Sequence, residues 1–143
     1  GDPYGWGGKD GARDCSQFLH DLFAGFGIPL GRHSSVQATQ GTANVDVAGW
    51  TEADKLAAID DAAHDGVVLL YMPGHVMLDV GKDGDRRFAI SAIAEYVEPC
   101  AGAGETLRRL DRVAVTDLEL GRGSSRGAFI ERITRIAVFG PQP

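Results

Sequence analysis

An α+β fold is predicted for this 143-residue sequence, an N-terminal helix packed on an antiparallel sheet, and three observations predict it. Near the start, apolar residues recur at helical spacing from Cys15 through Phe18, Leu19, Leu22, Phe23 and Phe26. Past the middle, β-type runs follow one another across short glycine-bearing turns, and strands joined so closely must be antiparallel. With 43% hydrophobic and 24% charged residues the composition is that of an ordinary globular domain. One domain over residues 1–143 is expected, long enough to bury a core without staples.

The elements follow in order. Gly1, Gly5, Gly7, Gly8 and Gly11 crowd the opening around Tyr4 and Trp6, which reads as a tight loop where backbone approaches something closely. Asp14 is placed to cap the first helix, Cys15 belongs to its buried stripe, and Gly25, Gly27 and Pro29 end it. Residues 31–50 are polar and without period, a surface connection along a cleft. Thr51 caps a second helix through about His64, with Leu56 and Ile59 inward. Strands are expected at Val67–Met72, His75–Val80, Arg87–Val97, Arg112–Leu120 and Ile133–Phe139, with a Gly/Ser-rich turn over Gly121–Gly127.

The register of the central hairpin bears on function. Val76, Leu78 and Val80 alternate on one strand and Phe88, Ile90 and Ala92 on the next. Both sets share a face if the loop is Lys82-Asp83-Gly84, with Gly84 left-handed, and that register sets His75 directly opposite Ser91, away from the apolar face.

A net charge of −6 argues against nucleic acid or an anionic membrane surface as the main partner. No run of 18 apolar residues occurs, so no membrane span is expected, and the opening residues lack the pattern of a signal peptide. Cys15 and Cys100 lie in unlike surroundings and are expected to be unpaired. The glycine-rich opening is not a phosphate loop, and the histidines lack metal-ligand spacing, so no cofactor and no metal are expected.

A thiol at a helix N-terminus is where a thiolate forms most readily, because unpaired N–H groups and the helix dipole stabilise negative charge there. Cys15 has that placement, although Asp14 beside it works against the thiolate. A strand histidine facing the thiol would complete a thiolate–imidazolium pair for acyl transfer, and His75 is the best placed of the four histidines. His20, His33 and His64 read as surface. On this reading Cys15 alkylates ahead of Cys100.

The run Pro3-Tyr4-Gly5-Trp6-Gly7-Gly8, then Arg13-Asp14-Cys15-Ser16, then Phe26-Gly27-Ile28-Pro29-Leu30, resembles the opening of an NlpC/P60 cysteine peptidase domain. The resemblance continues through Tyr71-Met72-Pro73-Gly74-His75-Val76, the family's histidine strand. Val113 to Leu118 and Glu131 to Thr134 resemble the tail of the subgroup that carries bacterial SH3-like domains ahead of the peptidase. The resemblance implies a papain-like α+β fold and hydrolysis of peptidoglycan stem peptides between the γ-carboxyl of D-glutamate and a diamino acid. It implies Cys15 as nucleophile, His75 as general base and acid, Tyr4 and the Cys15 N–H at the oxyanion, and Asp14 and Ser16 in the pocket for the free amino end of the peptide. It also implies a cell-envelope or secreted location.

Two departures stand out. The third catalytic position, a histidine in the subgroup, is Ser91, and no SH3-like domain precedes Tyr4, so that part of the pocket is expected from a removed segment, from another chain such as an SH3-like partner domain, or from nothing. Besides a cell-wall cysteine endopeptidase, the sequence therefore leaves open a degenerate muropeptide-binding member and a Cys–His amidase or acyltransferase acting on another substrate.

Overall fold

The computed structural model describes residues 1–141. Six strands form one antiparallel sheet in the order β1-β6-β2-β3-β4-β5: β1 Ala43–Asp46, β2 Val67–Met72, β3 His75–Asp83, β4 Arg86–Pro99, β5 Glu105–Asp117 and β6 Arg135–Phe139. Four α-helices accompany it among the described residues: α1 Cys15–Ala24, α2 Ser34–Gln37, α3 Glu52–Asp65 and α4 Phe129–Arg132. No helix among the described residues is long and apolar enough to cross a membrane.

Both faces of the sheet are covered, because both sets of alternating residues are apolar. On one face Leu19 and Phe23 of α1 pack with Leu69, Val76 and Ala137. On the other, α3 and α4 bring Ile59, Phe129 and Ile130 against Leu70, Met77, Ala89 and Ile93. Leu19, Leu69, Leu70, Val76, Met77 and Ala89 have no exposed surface at all. Burying side chains of this size stabilises the fold by about 1.5–3 kcal/mol each before chain entropy is counted.

The helix ends follow the sequence. The Asp14 side chain accepts from the Gln17 N–H and starts α1, and Thr51 does the same for α3 through the Asp54 N–H. The short elements α2, β1 and α4 are not among those expected from the sequence, because four-residue elements hold too little of a hydrophobic period to be recognised. The last strands also differ. The β5 strand begins at Glu105 rather than Arg112, and Leu118 to Leu120 leave the sheet.

The central hairpin corrects the expected register. Asp83 pairs with Arg86, so the turn is two residues, Gly84-Asp85, with glycine first at φ 58° as type II′ turns require. A bulge between Asp79 and Gly81 then shifts the ladder, and Leu78 pairs with Ile90. Carried back along the strands, that pairing sets Ser91 across from Met77, two residues inward of His75. Alternation gets the faces right, since Leu78 and Ile90 pair on one face, but it cannot tell apart registers two residues apart, and the two-residue turn and the Asp79–Gly81 bulge together move the register by two.

Candidate active site

Three pieces of chain meet at one end of the sheet. The β2–β3 turn, Pro73-Gly74, has glycine at φ 83°, the type II geometry that proline then glycine favours, and it delivers His75 as the first residue of β3. The N-terminus of α1 delivers Cys15. The opening segment is bound to the rest of the site by backbone bonds from the Tyr4 N–H to the Asp111 carbonyl at 2.9 Å and from the Gly5 N–H to the Arg13 carbonyl at 3.1 Å.

Cys15 is 8% exposed, and its sulfur faces the backbone N–H of Val76, the residue after His75. Cys15 and Cys100 are both free thiols, the first buried and the second exposed. His75 Nε2 lies 3.0 Å from the hydroxyl of Ser91, which is fully buried. Ser91 is thus in hydrogen-bond contact with His75 although the two residues are not directly opposed: the contact runs diagonally across one pair, which a short hydroxyl and a ring nitrogen can span. His75 Nδ1 has no hydrogen-bond partner among the described residues, and Cys15 and His75 are not hydrogen-bonded to each other.

The surroundings favour the neutral form of both groups. Burial pushes the Cys15 thiol up, and the Asp14 charge adds to it, outweighing the N–H groups of Val76, Ser16 and Cys15 itself. Burial, with the Arg132 guanidinium, pushes His75 down to about 4. The resting pair is therefore thiol and imidazole, where the sequence alone suggested thiolate and imidazolium.

Asp14 and Ser16 are brought together by a residue the sequence reading passed over. Arg32 donates to both carboxylate oxygens of Asp14, at 3.1 and 2.9 Å, and to the Ser16 hydroxyl at 2.9 Å. Asp14 also accepts from the Gly7 N–H at 3.1 Å and the Gln17 N–H at 2.8 Å. Burial alone would push this carboxyl up, but Arg32, Gln17 and Ser16 together hold it below the usual carboxylate range. Arg32 lies in the polar stretch without period, where nothing in the spacing marks one residue above its neighbours.

Around these groups runs a cleft in two halves. A hollow of about 510 Å³ includes Asp14, Cys15, Ser16 and Arg32, and a hollow of about 270 Å³ includes Tyr4, His75, Glu95 and Arg132. Trp6 and Gly74 line both, so the thiol and the imidazole look into one continuous groove across the exposed Trp6 indole. A roomier hollow of about 640 Å³ beside Trp50 and α3 has neither a thiol nor a histidine on its walls. Burial raises the Tyr4 hydroxyl, as would a thiolate at Cys15 and as does the Asp14 charge, so it stays a protonated donor.

Comparison with known proteins gives a consistent picture. The family model described as NlpC/P60 family matches residues 1–96. A solved structure described as a novel NlpC/P60 endopeptidase from Photobacterium damselae subsp. piscicida superposes with a TM-score of 0.78 at 18% identity. The match covers 99% of this chain and 37% of that one, so the chain spans little more than a third of that protein's length, and at this identity the likeness is one of fold. No curated protein matches the chain.

Proposed function

The chain belongs to the NlpC/P60 family, a membership that carries a peptidase-type function, and from that premise we propose that it is a cysteine endopeptidase of the bacterial cell envelope acting on peptidoglycan stem peptides. The proposed bond is the one between the γ-carboxyl of D-glutamate and the following diamino acid. The observation that supports this most is the arrangement of Cys15 at a helix N-terminus, its sulfur at the N–H of Val76, the residue after His75, with Ser91 in contact with the far nitrogen of that imidazole.

The chemistry follows from which nitrogen is occupied. With Nε2–H donating to Ser91, Nδ1 keeps its lone pair and takes the proton of the Cys15 thiol as the sulfur bonds to the carbonyl carbon. Negative charge gathers on the carbonyl oxygen, where the Cys15 N–H and the Tyr4 hydroxyl are the donors. His75 then passes its proton to the leaving amine as the C–N bond breaks, which leaves an acyl thioester on Cys15. Water, giving its proton to His75, attacks that thioester and restores the thiol. Because both groups rest neutral, the proton moves during attack rather than before it.

Asp14 and Ser16 are proposed to meet the free amino end of the peptide. An ammonium reaches the Asp14 carboxylate only by taking over part of the place that Arg32 holds. An SH3-like domain remains the proposed partner for closing this half of the groove.

Incubation with defined γ-D-glutamyl stem peptides and analysis of the products by mass spectrometry tests the proposal. Two fragments separated at the γ-D-glutamyl bond, absent with Cys15→Ala, are expected. Saturable binding with no product from the unsubstituted protein would instead identify a binding member of the family.

A further inference from the structure

The half of the groove that contains His75 has a charge pattern the mechanism above does not use. The guanidinium of Arg132, the last residue of α4, has neither a hydrogen bond nor an ion pair with any described residue, whereas Arg87 and Arg122 each satisfy two or more carboxylates. Its guanidinium lies 5.8 Å from the centre of the Phe129 ring and lines the same hollow as the imidazole. Arg126 lines that hollow too, 3.5 Å from Glu95. Burial pushes the Arg132 pKa down, with Arg126 adding to it, the mark of a cation without its counter-ion. One paired and one unpaired guanidinium and a single carboxylate thus face a cavity of about 270 Å³, open to the groove.

The direction of the substrate follows from the chemistry. The imidazole must hand a proton to the leaving amine, so the leaving residue has to emerge on the side of the groove that includes His75 and excludes the Cys15 sulfur. We infer that Arg132 is a specificity-determining residue that receives a free carboxylate on the leaving residue of the substrate. The inference rests on the peptidase reading for the orientation of the peptide. An ammonium attached to the same carbon would find Glu95 across the cavity. A leaving residue that ended in an ammonium alone would bring a third cation beside Arg126 and Arg132 with one carboxylate to share.

Calorimetric binding to the Cys15→Ala protein, which cannot turn substrate over, reads this directly. The probes are two stem peptides that differ only in the leaving diamino acid, 2,6-diaminopimelate with its side-chain carboxylate free or converted to the amide. The free carboxylate is expected to bind at least about tenfold tighter, the scale of one charge-assisted hydrogen bond. Adding Arg132→Gln should weaken only that peptide and abolish the preference, and Arg132→Lys should keep part of it. Equal binding of the two peptides to the protein with Arg132 intact, or a preference that survives Arg132→Gln, would overturn the inference. The first comparison needs no change at Arg132, so a poorly folded variant cannot mask the answer. Turnover by the protein with Cys15 intact separates the two claims. Cleavage of both peptides without preference overturns the role of Arg132 and leaves the peptidase reading standing. Preferential binding with no cleavage upholds Arg132 and removes the peptidase reading.

Discussion

Burial acts on Cys15 and His75 in opposite senses, raising one pKa and lowering the other, so each group rests without charge. Reactivity toward small electrophiles should follow. Cys100 is exposed and Cys15 buried, so brief alkylation near neutral pH is expected to modify Cys100 first, the reverse of what helix placement alone suggests, and peptide mapping reads the order. The imidazole gives a second expectation. The charged and titratable groups sharing its cavity are Arg132, Arg126, Glu95 and Tyr4, and with His75 at about 4 the acid limb of kcat/KM should lie near pH 4 rather than near 6.5. Stability responds in the same window: between 6.5 and about 4 the unfolded chain takes a proton that the folded one refuses. Stability conferred by neutral His75 is therefore full above 6.5 and is lost as pH falls toward 4. Thermal melts across that range, with and without His75→Gln, isolate the contribution. Ser91 acts on the ring alone, so Ser91→Ala should lower kcat by about tenfold or more while KM changes little, and Ser91→His should keep or raise activity. An unchanged kcat in Ser91→Ala would mean that the ring is oriented by other means.

At the scale of elements, α4 is the least self-sufficient piece and the one that positions Phe129 and Arg132. Four residues cannot hold a helix by their own hydrogen bonds. Lys55 of α3, almost fully buried, does so by donating from Nζ to the carbonyls of Ile130 and Glu131 at 3.2 and 2.8 Å. Lys55→Met should remove those charged bonds and cost about 1–3 kcal/mol, visible as a lower unfolding midpoint in urea, with Lys55→Arg less affected. The long elements were legible in the sequence for a physical reason: α1 and α3 repeat an apolar face several times and begin at residues that cap, and β2 to β4 alternate between recognisable turns. The short ones were not. The β1 strand is mostly exposed and gains its place by pairing with β6, and α4 gains its place from Lys55, 75 positions away. The hairpin register failed for a different cause: alternation fixes which residues share a face but cannot tell apart registers two residues apart, and nothing in the spacing marks the Asp79–Gly81 bulge.

On the scale of the whole molecule, a sheet covered on both faces leaves its chemistry to one end, where the start of α1, the β2–β3 turn and the opening segment converge. Cys15, His75, Ser91, Tyr4, Asp14 and Ser16 all gather there, and each could be named from sequence because a helix start, a strand start or a familiar run marks it. Arg32 and Arg132 could not. Their importance lies in what they face across the fold, Asp14 and Ser16 for one and an otherwise unmatched cavity for the other. As the proposed nucleophile, Cys15 should carry the acyl group of a stem peptide during turnover. Rapid quenching of the protein with a γ-D-glutamyl stem peptide, followed by intact-mass measurement, tests it most directly. A transient mass increase equal to the acyl portion, mapped to Cys15 and absent in Cys15→Ala, is expected; product formation with no such adduct at any time, or with the adduct on another residue, would overturn that role for Cys15.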